Sequence, residues 1–397
     1  MSKYRLQAIV FVLVAFMLGC NEFMVVGILS DIASHLHVSI ASVGYLVTVF
    51  ATVYAISTPF ITILTSKYSR YKTLLVLMGI FLIGNTLSGF ATNYWSMLVS
   101  RVIAASVAGS IISLIMTFTT TVAPQEKRAN LVSWVFAGFS IASVIGVPIG
   151  TTISTNYSWR YAFFAVSVVT VITFFLLVWL LPKHVKQVQG SVMDQLSLLK
   201  DPRIYTGILL VLFTAATMYG YYTYIRPLLT TALGFSNASL NILLFIIGIM
   251  SIVSNRWSGR IAEKSGLSGM PKYYVADIIF LVLLPLALAT KISGFAVLLI
   301  LTLIVTLINS PIQVHFLNTA EREYPQSLVL ASSLNSIFFN FGISLGSATS
   351  SVLVGAIGLK NISLASAAYA VISLVLIIVL NRTIKANKQA GQVRQPE

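Results

Sequence analysis

The sequence predicts an all-α integral membrane protein, with twelve transmembrane helices in two pseudo-symmetric six-helix bundles. Three observations predict it. Of 397 residues, 57% are hydrophobic and 9% charged, with a mean hydropathy of +0.92, whereas soluble domains carry about 25% charged residues. So few charges cannot cover a water-facing surface, and lipid must be the solvent for most of the chain. The apolar residues form runs of roughly 20 between short polar turns, the length a helix needs to cross hydrocarbon while satisfying its own backbone. The basic residues, finally, keep to alternate turns.

In chain order the runs lie near 7–29, 42–64, 73–91, 95–120, 129–151 and 160–181, then 205–228, 238–258, 272–290, 294–317, 328–356 and 362–381. The first is too long for a signal-peptide core, contains Asn21 and Glu22 and lacks a small-residue cleavage site, so it reads as a retained span. The expected organisation is an N-terminal bundle over 1–181, a cytoplasmic linker over 182–204 with Lys183, His184, Lys186, Lys200 and Arg203, a C-terminal bundle over 205–381, and a cytoplasmic tail over 382–397. Two weak echoes at an offset near 200 support a repeat: Ala123-Pro124-Gln125 precedes span five and Tyr324-Pro325-Gln326 precedes span eleven. Parallel six-span repeats are a recognised transporter plan, with the substrate site near the midplane.

A formal charge of +15 invites a nucleic-acid reading, but the cations sit in short loops and form no basic face. Topology accounts for them: 20 of the 25 Lys and Arg fall in the tails and the loops on one side, while Arg160, Arg226, Lys291 and Lys360 are left for the other and Arg101 lies inside span four. That asymmetry puts both termini in the cytoplasm. Cys20 is the only cysteine, which excludes an intrachain disulfide and a Cys-based metal site. The sequence contains no GxxxxGK[ST], HExxH, nucleophile-elbow or paired-carboxylate signature, so it predicts neither an ATP-driven pump nor an enzyme, and neither a cofactor nor a metal.

The candidate functional residues are the polar ones inside spans. Glu22 is costly there unless protonated, paired or facing water. Counted from the span ends at ~1.5 Å per residue, its depth matches that of Arg101. Desolvation raises and a nearby Arg101 lowers the proton affinity balance of such a carboxyl, so conformations that change their separation would bind and release a proton. The other reading is a static pair or different partners. Asp31, at the outer end of span one, and Asp277, near the inner end of span nine, read as solvated or capping residues, and Asp31 is also a candidate for the proton pathway. His35 and His37 lie in an outer loop.

Thr302, Thr306, Asn309 and Gln313 recur on one face of span ten, which calls for water or protein beside it. Ser332, Ser336, Asn340, Ser344 and Ser347 in span eleven, and Ser106, Ser110, Ser113 and Thr117 in span four, suit close helix packing or a cavity wall. Met218, Tyr219, Tyr221, Tyr222 and Tyr224 crowd the end of span seven, and Phe338, Phe339 and Phe341 occur in span eleven. They suit either a planar ligand or interfacial anchoring. Candidate substrate contacts are therefore Asn21, Tyr54, Met218, Tyr222, Asn309, Gln313, Asn335, Phe338, Phe339 and Asn340. Gly138, Gly146, Pro148 and Gly150 in span five suit a bend, as a moving gate or a fixed kink.

With these residues set out, the chain resembles the major facilitator superfamily, and within it the twelve-span drug:proton antiporter branch. Asn21-Glu22-Phe23-Met24-Val25-Val26-Gly27 with Asp31-Ile32-Ala33 resembles that branch's first-span signature. Arg101 followed by Gly109 resembles its fourth-span motif, whose arginine is associated with proton coupling. Gly138 with Gly146-Val147-Pro148-Ile149-Gly150 is similar to the fifth-span antiporter motif, which tracks with exporters, and Trp159-Arg160-Tyr161-Ala162-Phe163 also matches. The loop from Thr62 to Lys72 departs from the superfamily pattern, with Ser66 where Asp and Ser69 where Gly is expected. Gly259-Arg260-Ile261-Ala262-Glu263-Lys264 is its second-half copy. The resemblance implies a monomeric, proton-coupled exporter of a small amphipathic solute in the bacterial plasma membrane, cycling by alternating access. A single-metabolite exporter (purine base, sugar or siderophore-like compound) and a facilitator without proton coupling are the alternatives.

Overall fold

The computed structural model describes residues 3–65, 68–123, 125–183, 197–324 and 327–393. Ser66, Lys67, Pro124, His184, Lys186 and the Pro325-Gln326 echo lie outside the described residues. Among those described, twelve stretches are long and apolar enough to cross a membrane, as the hydropathy runs predict. They are built from α1 (Lys3–His35), α2 (Ile40–Thr65), α3 (Arg70–Phe90), α4 (Tyr94–Val122), α5 (Gln125–Ile141), α6 (Val147–Asn156), α7 (Trp159–Leu180), α8 (Pro202–Tyr222), α9 (Asn237–Lys264), α10 (Pro271–Ala287), α11 (Lys291–Val305), α12 (Asn309–Glu323), α13 (Leu328–Ala356) and α14 (Ser363–Val393). Spans five and ten are each made of two helices.

Both breaks have a proline as their cause. Pro148 brings no N–H and its ring crowds the carbonyl four residues back, and the chain widens into a π turn at Ala142–Gly146, where the Val147 N–H reaches back to the Ala142 carbonyl. Span five therefore leaves the regular α-helix at the glycines and proline where a bend is expected. In span ten, Pro311 removes the donor that would serve the Leu307 carbonyl, and a 3₁₀ turn at Thr306–Ile308 separates α11 from α12. Two serines of α9 repair that gap. Ser258 Oγ donates to the Leu307 carbonyl at 2.8 Å and accepts the Ser310 N–H at 2.9 Å. Ser254 Oγ donates to the Leu303 carbonyl at 2.5 Å and accepts from the Thr306 hydroxyl at 2.6 Å. Both serines are fully buried.

Helix starts follow local chemistry. Asn93 and Ser96 form a reciprocal capping box on α4, Ser158 and Thr290 cap α7 and α11, and Pro271 opens α10 at a position where its missing N–H costs nothing. Along the spans, Phe60, Trp179, Leu286 and Ile292 are largely exposed, as helices bathed in lipid require.

The chain divides into two compact units, residues 1–188 with 222–249, and residues 189–221 with 250–397. Segment 222–249 joins the first unit through the Arg226 side chain on α1 and through Gly248, whose backbone lies against Val144 of the π turn. Inside the first unit α3 packs on α4 and α7; inside the second, α10 packs on α11 and α14, the same pairing one repeat later. The echo extends to single contacts. In the first unit, Ser110 Oγ donates to the Thr58 carbonyl; in the second, Ser310 bonds Ser258, each residue exactly 200 positions on in sequence. Gly138 abuts the backbone of Val12, and Gly342 abuts that of Leu212.

Candidate functional site

In the first unit a polar network occupies the middle of five helices. Arg101, on α4, is fully buried. Its Nη1 donates to the Asn21 main-chain oxygen at 2.8 Å and to Asn21 Oδ1 at 2.9 Å, and its guanidinium lies over the Phe50 ring of α2, 4.0 Å from the centroid, a cation–π contact worth ~2 kcal/mol when desolvated. Asn21 Nδ2 donates to Asn85 Oδ1 at 2.6 Å, and Asn85 Nδ2 donates onward to the Phe163 carbonyl and Ser167 Oγ, both at 2.8 Å. One charged group thus tethers α1, which is tethered in turn to α3 and α7.

The network is incomplete. Arg101 Nε and Nη2 have no hydrogen-bond partner, a costly state for a buried cation. Glu22, half-buried on the next position of α1, attracts Arg101 electrostatically, yet among the described residues it makes no ion pair. Glu22 and Arg101 are thus close enough to interact, as the depth match expects, but the static pair that was the other reading is replaced by an Asn21–Arg101 bond. Matching depths could not separate two adjacent residues that point about 100° apart around a helix.

Asp31 is neither freely solvated nor a cap. Both its oxygens are 2.7 Å from Arg226, whose Nη1 also donates to the Gly27 carbonyl at 3.0 Å, and Ser154 of α6 donates to it as well. Arg226, expected at the outer end of span seven, is 3% exposed, because the chain after Tyr224 turns through Ile225–Pro227 and a π turn at Leu228–Ala232 that seats the side chain on α1. His35 ends α1 and meets Arg160 Nη1 at 2.9 Å, so it is held against α7. Tyr222 hydrogen-bonds Ser143 of the π turn, and Tyr54 is buried beside Gly109.

The span-five glycines pack on α1. A Cβ on Gly138 would come within 2.6 Å of the Val12 carbonyl, one on Gly150 within 2.5 Å of the Met24 side chain, and one on Gly146 would strike Cys20 Sγ. From the other side Gly27 receives Val147 and Thr151. The helix carrying Asn21 and Glu22 is thus in backbone-close contact with both halves of the bent span, with Pro148 itself buried on the first turn of α6.

In the second unit, Tyr219 meets Phe339 edge-on at 6.2 Å and Phe338 meets Phe341 at 5.7 Å. Asn340 Nδ2 donates to the Ser336 carbonyl one turn back, while Asn335 Oδ1 and Asn340 Oδ1 are buried without a partner. Met218 is buried; Asn309 and Gln313 are half-buried on α12. Of the span-ten stripe, Thr302 and Thr306 are buried, and Thr306 is committed to Ser254. Asp277, expected to be solvated or capping, is a further correction: on α10 it is 1% exposed and neither oxygen has a hydrogen-bond partner. Asn85 was absent from the sequence-based candidates, although an amide amid FLIGNTLSGF carries the same signal of an intramembrane polar group that marked Glu22. Among the described residues no cluster of His, Cys, Asp and Glu is suited to a metal.

Comparison with known proteins adds the family. The sequence model described as Major Facilitator Superfamily matches residues 11–329. The uncharacterized MFS-type transporter YtbD of Bacillus subtilis is 32% identical over 349 residues, 87% of either chain. The inner membrane transport protein YdhP of Escherichia coli K12 is 29% identical over 370 residues, 93% of this chain and 94% of that one. Among solved structures, a bacterial homologue of the human lysosomal transporter Spinster, inward-facing and unoccupied, superposes with a TM-score of 0.80 at 15% identity, covering 96% of this chain and 98% of the other. A D-xylose–proton symporter gives 0.75 at 15% identity, covering 96% and 97%. These two likenesses speak to fold alone.

Proposed function

Since this chain belongs to the major facilitator superfamily, we propose that it is a proton-coupled secondary transporter that exports a small amphipathic drug or metabolite by alternating access. The observation that carries the reading is the unfinished coordination of Arg101: two empty donors on a sealed guanidinium, with an unpaired carboxyl one residue beyond its partner. When Glu22 is ionised it competes with Asn21 for Arg101; when Glu22 holds a proton, that competition ends and Arg101 rests on Asn21. A proton thus selects which residue of α1 the α4 cation holds. Since Asn21 also holds Asn85, the choice is transmitted to α3 and α7. The gradient is sufficient to drive it: about 2.3 kcal/mol per charge per 100 mV and about 1.4 kcal/mol per pH unit.

Outward direction rests on the likeness of Gly138 and Gly146–Gly150 to the exporter motif, and the contacts of those glycines with α1 connect the bend to the proton switch. The test is transport in proteoliposomes. Glu22→Gln should insert, melt within a few degrees of wild type and bind substrate, yet fail to accumulate it under a pH gradient. If the variant still concentrates substrate, the assignment is wrong. A specific observation supports a polar metabolite as cargo: the unfilled acceptors of Asn335 and Asn340 call for a solute with hydrogen-bond donors. A thermal-shift screen across drugs, nucleobases, sugars and siderophore-like compounds separates the two cargo classes.

A further inference from the structure

Asp277 is a carboxyl group inside a span with nothing to hold it. It is 1% exposed, and both oxygens lack hydrogen-bond partners. A small void beside it is lined by Met270, Tyr273, Tyr274, Ile304 and Val305. The elements packed on α10 bring no charge there: α11 contributes the two aliphatic residues, the turn before α10 contributes Met270, and the cations of neighbouring elements, Lys291, Lys360, Arg382 and Lys385, are not part of the lining. The titratable neighbours on α10 itself are Tyr273, Tyr274 and Lys272; the Lys272 ammonium lies over the Tyr273 ring, 5.1 Å from its centroid, and is not part of the lining, and the Tyr274 hydroxyl is already engaged with Thr214 Oγ1 of α8 at 2.6 Å.

Three occupants of such a site can be weighed. A bare carboxylate without a partner is among the most expensive groups to bury, and a membrane span adds to the cost. Hard metal cations of the calcium type take about six or more oxygens, and the lining supplies two carboxylate oxygens and one uncommitted phenol. A proton needs one oxygen and removes the charge. We propose that Asp277 is a proton-binding site of the second unit, which carries its proton in this conformation and releases it to water when α10 and α11 part enough to hydrate the void. The site is separate from Glu22 and Arg101, which belong to the other unit, and it stands or falls independently of the switch proposed for them.

Infrared difference spectroscopy tests this on the full-length purified protein. At neutral pH the wild type should show a protonated-carboxyl stretch that is lost in Asp277→Asn, bleaches on alkalinisation and persists in Glu22→Gln. A wild-type minus Asp277→Asn difference that contains only ionised-carboxylate bands overturns the proposal. Should Asp277→Asn fail to fold, the wild type alone decides. Dicyclohexylcarbodiimide, an apolar reagent that modifies protonated carboxyls, should label Asp277 at neutral pH and lose that labelling as pH rises. A neutral-pH peptide map in which Asp277 is unmodified counts against it.

Discussion

At the scale of single residues, partner identity matters more than depth. Counting along the sequence put Arg101 opposite residues 21–22 of α1, and it does meet α1 there, but which of the two consecutive residues it bonds is a matter of helical phase, and only packing sets that. Asp277 misled the sequence reading for a related reason: six residues from a helix start reads as near water, while Tyr274 and the α11 end close over it. Asn85 carries an amide network on both sides, so Asn85→Ala should cost about 1–3 kcal/mol, chiefly by leaving Asn21 Nδ2 unsatisfied, since Ser167 keeps its bond to Thr86, which thermal melts in detergent will read. Outside the spans, Asp201 gives a pH signature. Burial pushes its carboxyl up, but hydrogen bonds from the Arg203 side chain and backbone, the Arg203 charge and the Tyr324 hydroxyl outweigh burial and hold it below the usual carboxylate range. A carboxyl depressed in the folded state stabilises above its unfolded value and loses that contribution as pH falls through the folded one. Asp201→Asn should therefore melt earlier than wild type at pH 7, and the gap should close as pH drops from about 5 toward 3.

At the scale of elements, the twelve spans were legible because hydrocarbon imposes a minimum apolar length, and the position of the bend in span five was legible from Pro148. The two-part construction of span ten was not. Pro311 marks the place, but the remedy comes from Ser254 and Ser258, far away in sequence. Ser258→Ala should destabilise by roughly 0.5–1.5 kcal/mol, since the Leu307 carbonyl and Ser310 N–H both lose their partner. The glycines give a sharper contrast. Gly138→Val drives a side chain into the α1 backbone and should cost about 1–3 kcal/mol with transport lost. Gly79→Ala, where no atom lies within 4 Å of the added methyl, should leave melting and transport unchanged.

At the scale of the molecule, the sequence revealed a repeat near 200 residues, and the paired contacts Thr58 with Ser110 and Ser258 with Ser310 supply its physical content. What composition could not reveal is that segment 222–249 groups with the first unit, since that depends on distant partners: Arg226 finding Asp31, Tyr222 finding Ser143 and Gly248 lying against Val144. The loop charges carry a topological prediction. An N-terminal and a C-terminal epitope should both be protected from antibody in intact cells and become accessible after permeabilisation. Detection of either tag on intact cells would reverse the orientation.

The π turn at Ala142–Gly146 also has a meaning in descent. Such a turn is an α-helix carrying one residue more than its ladder needs, so it can arise by a single-codon insertion and vanish by a single-codon deletion. Losing one residue within Ala142–Gly146 would rotate everything beyond it by about 100°, carrying Gly150 away from Met24 and Ser154 away from Asp31. In this stretch a length change of one is more disruptive than most substitutions, and natural variation should conserve spacing here more strictly than residue identity.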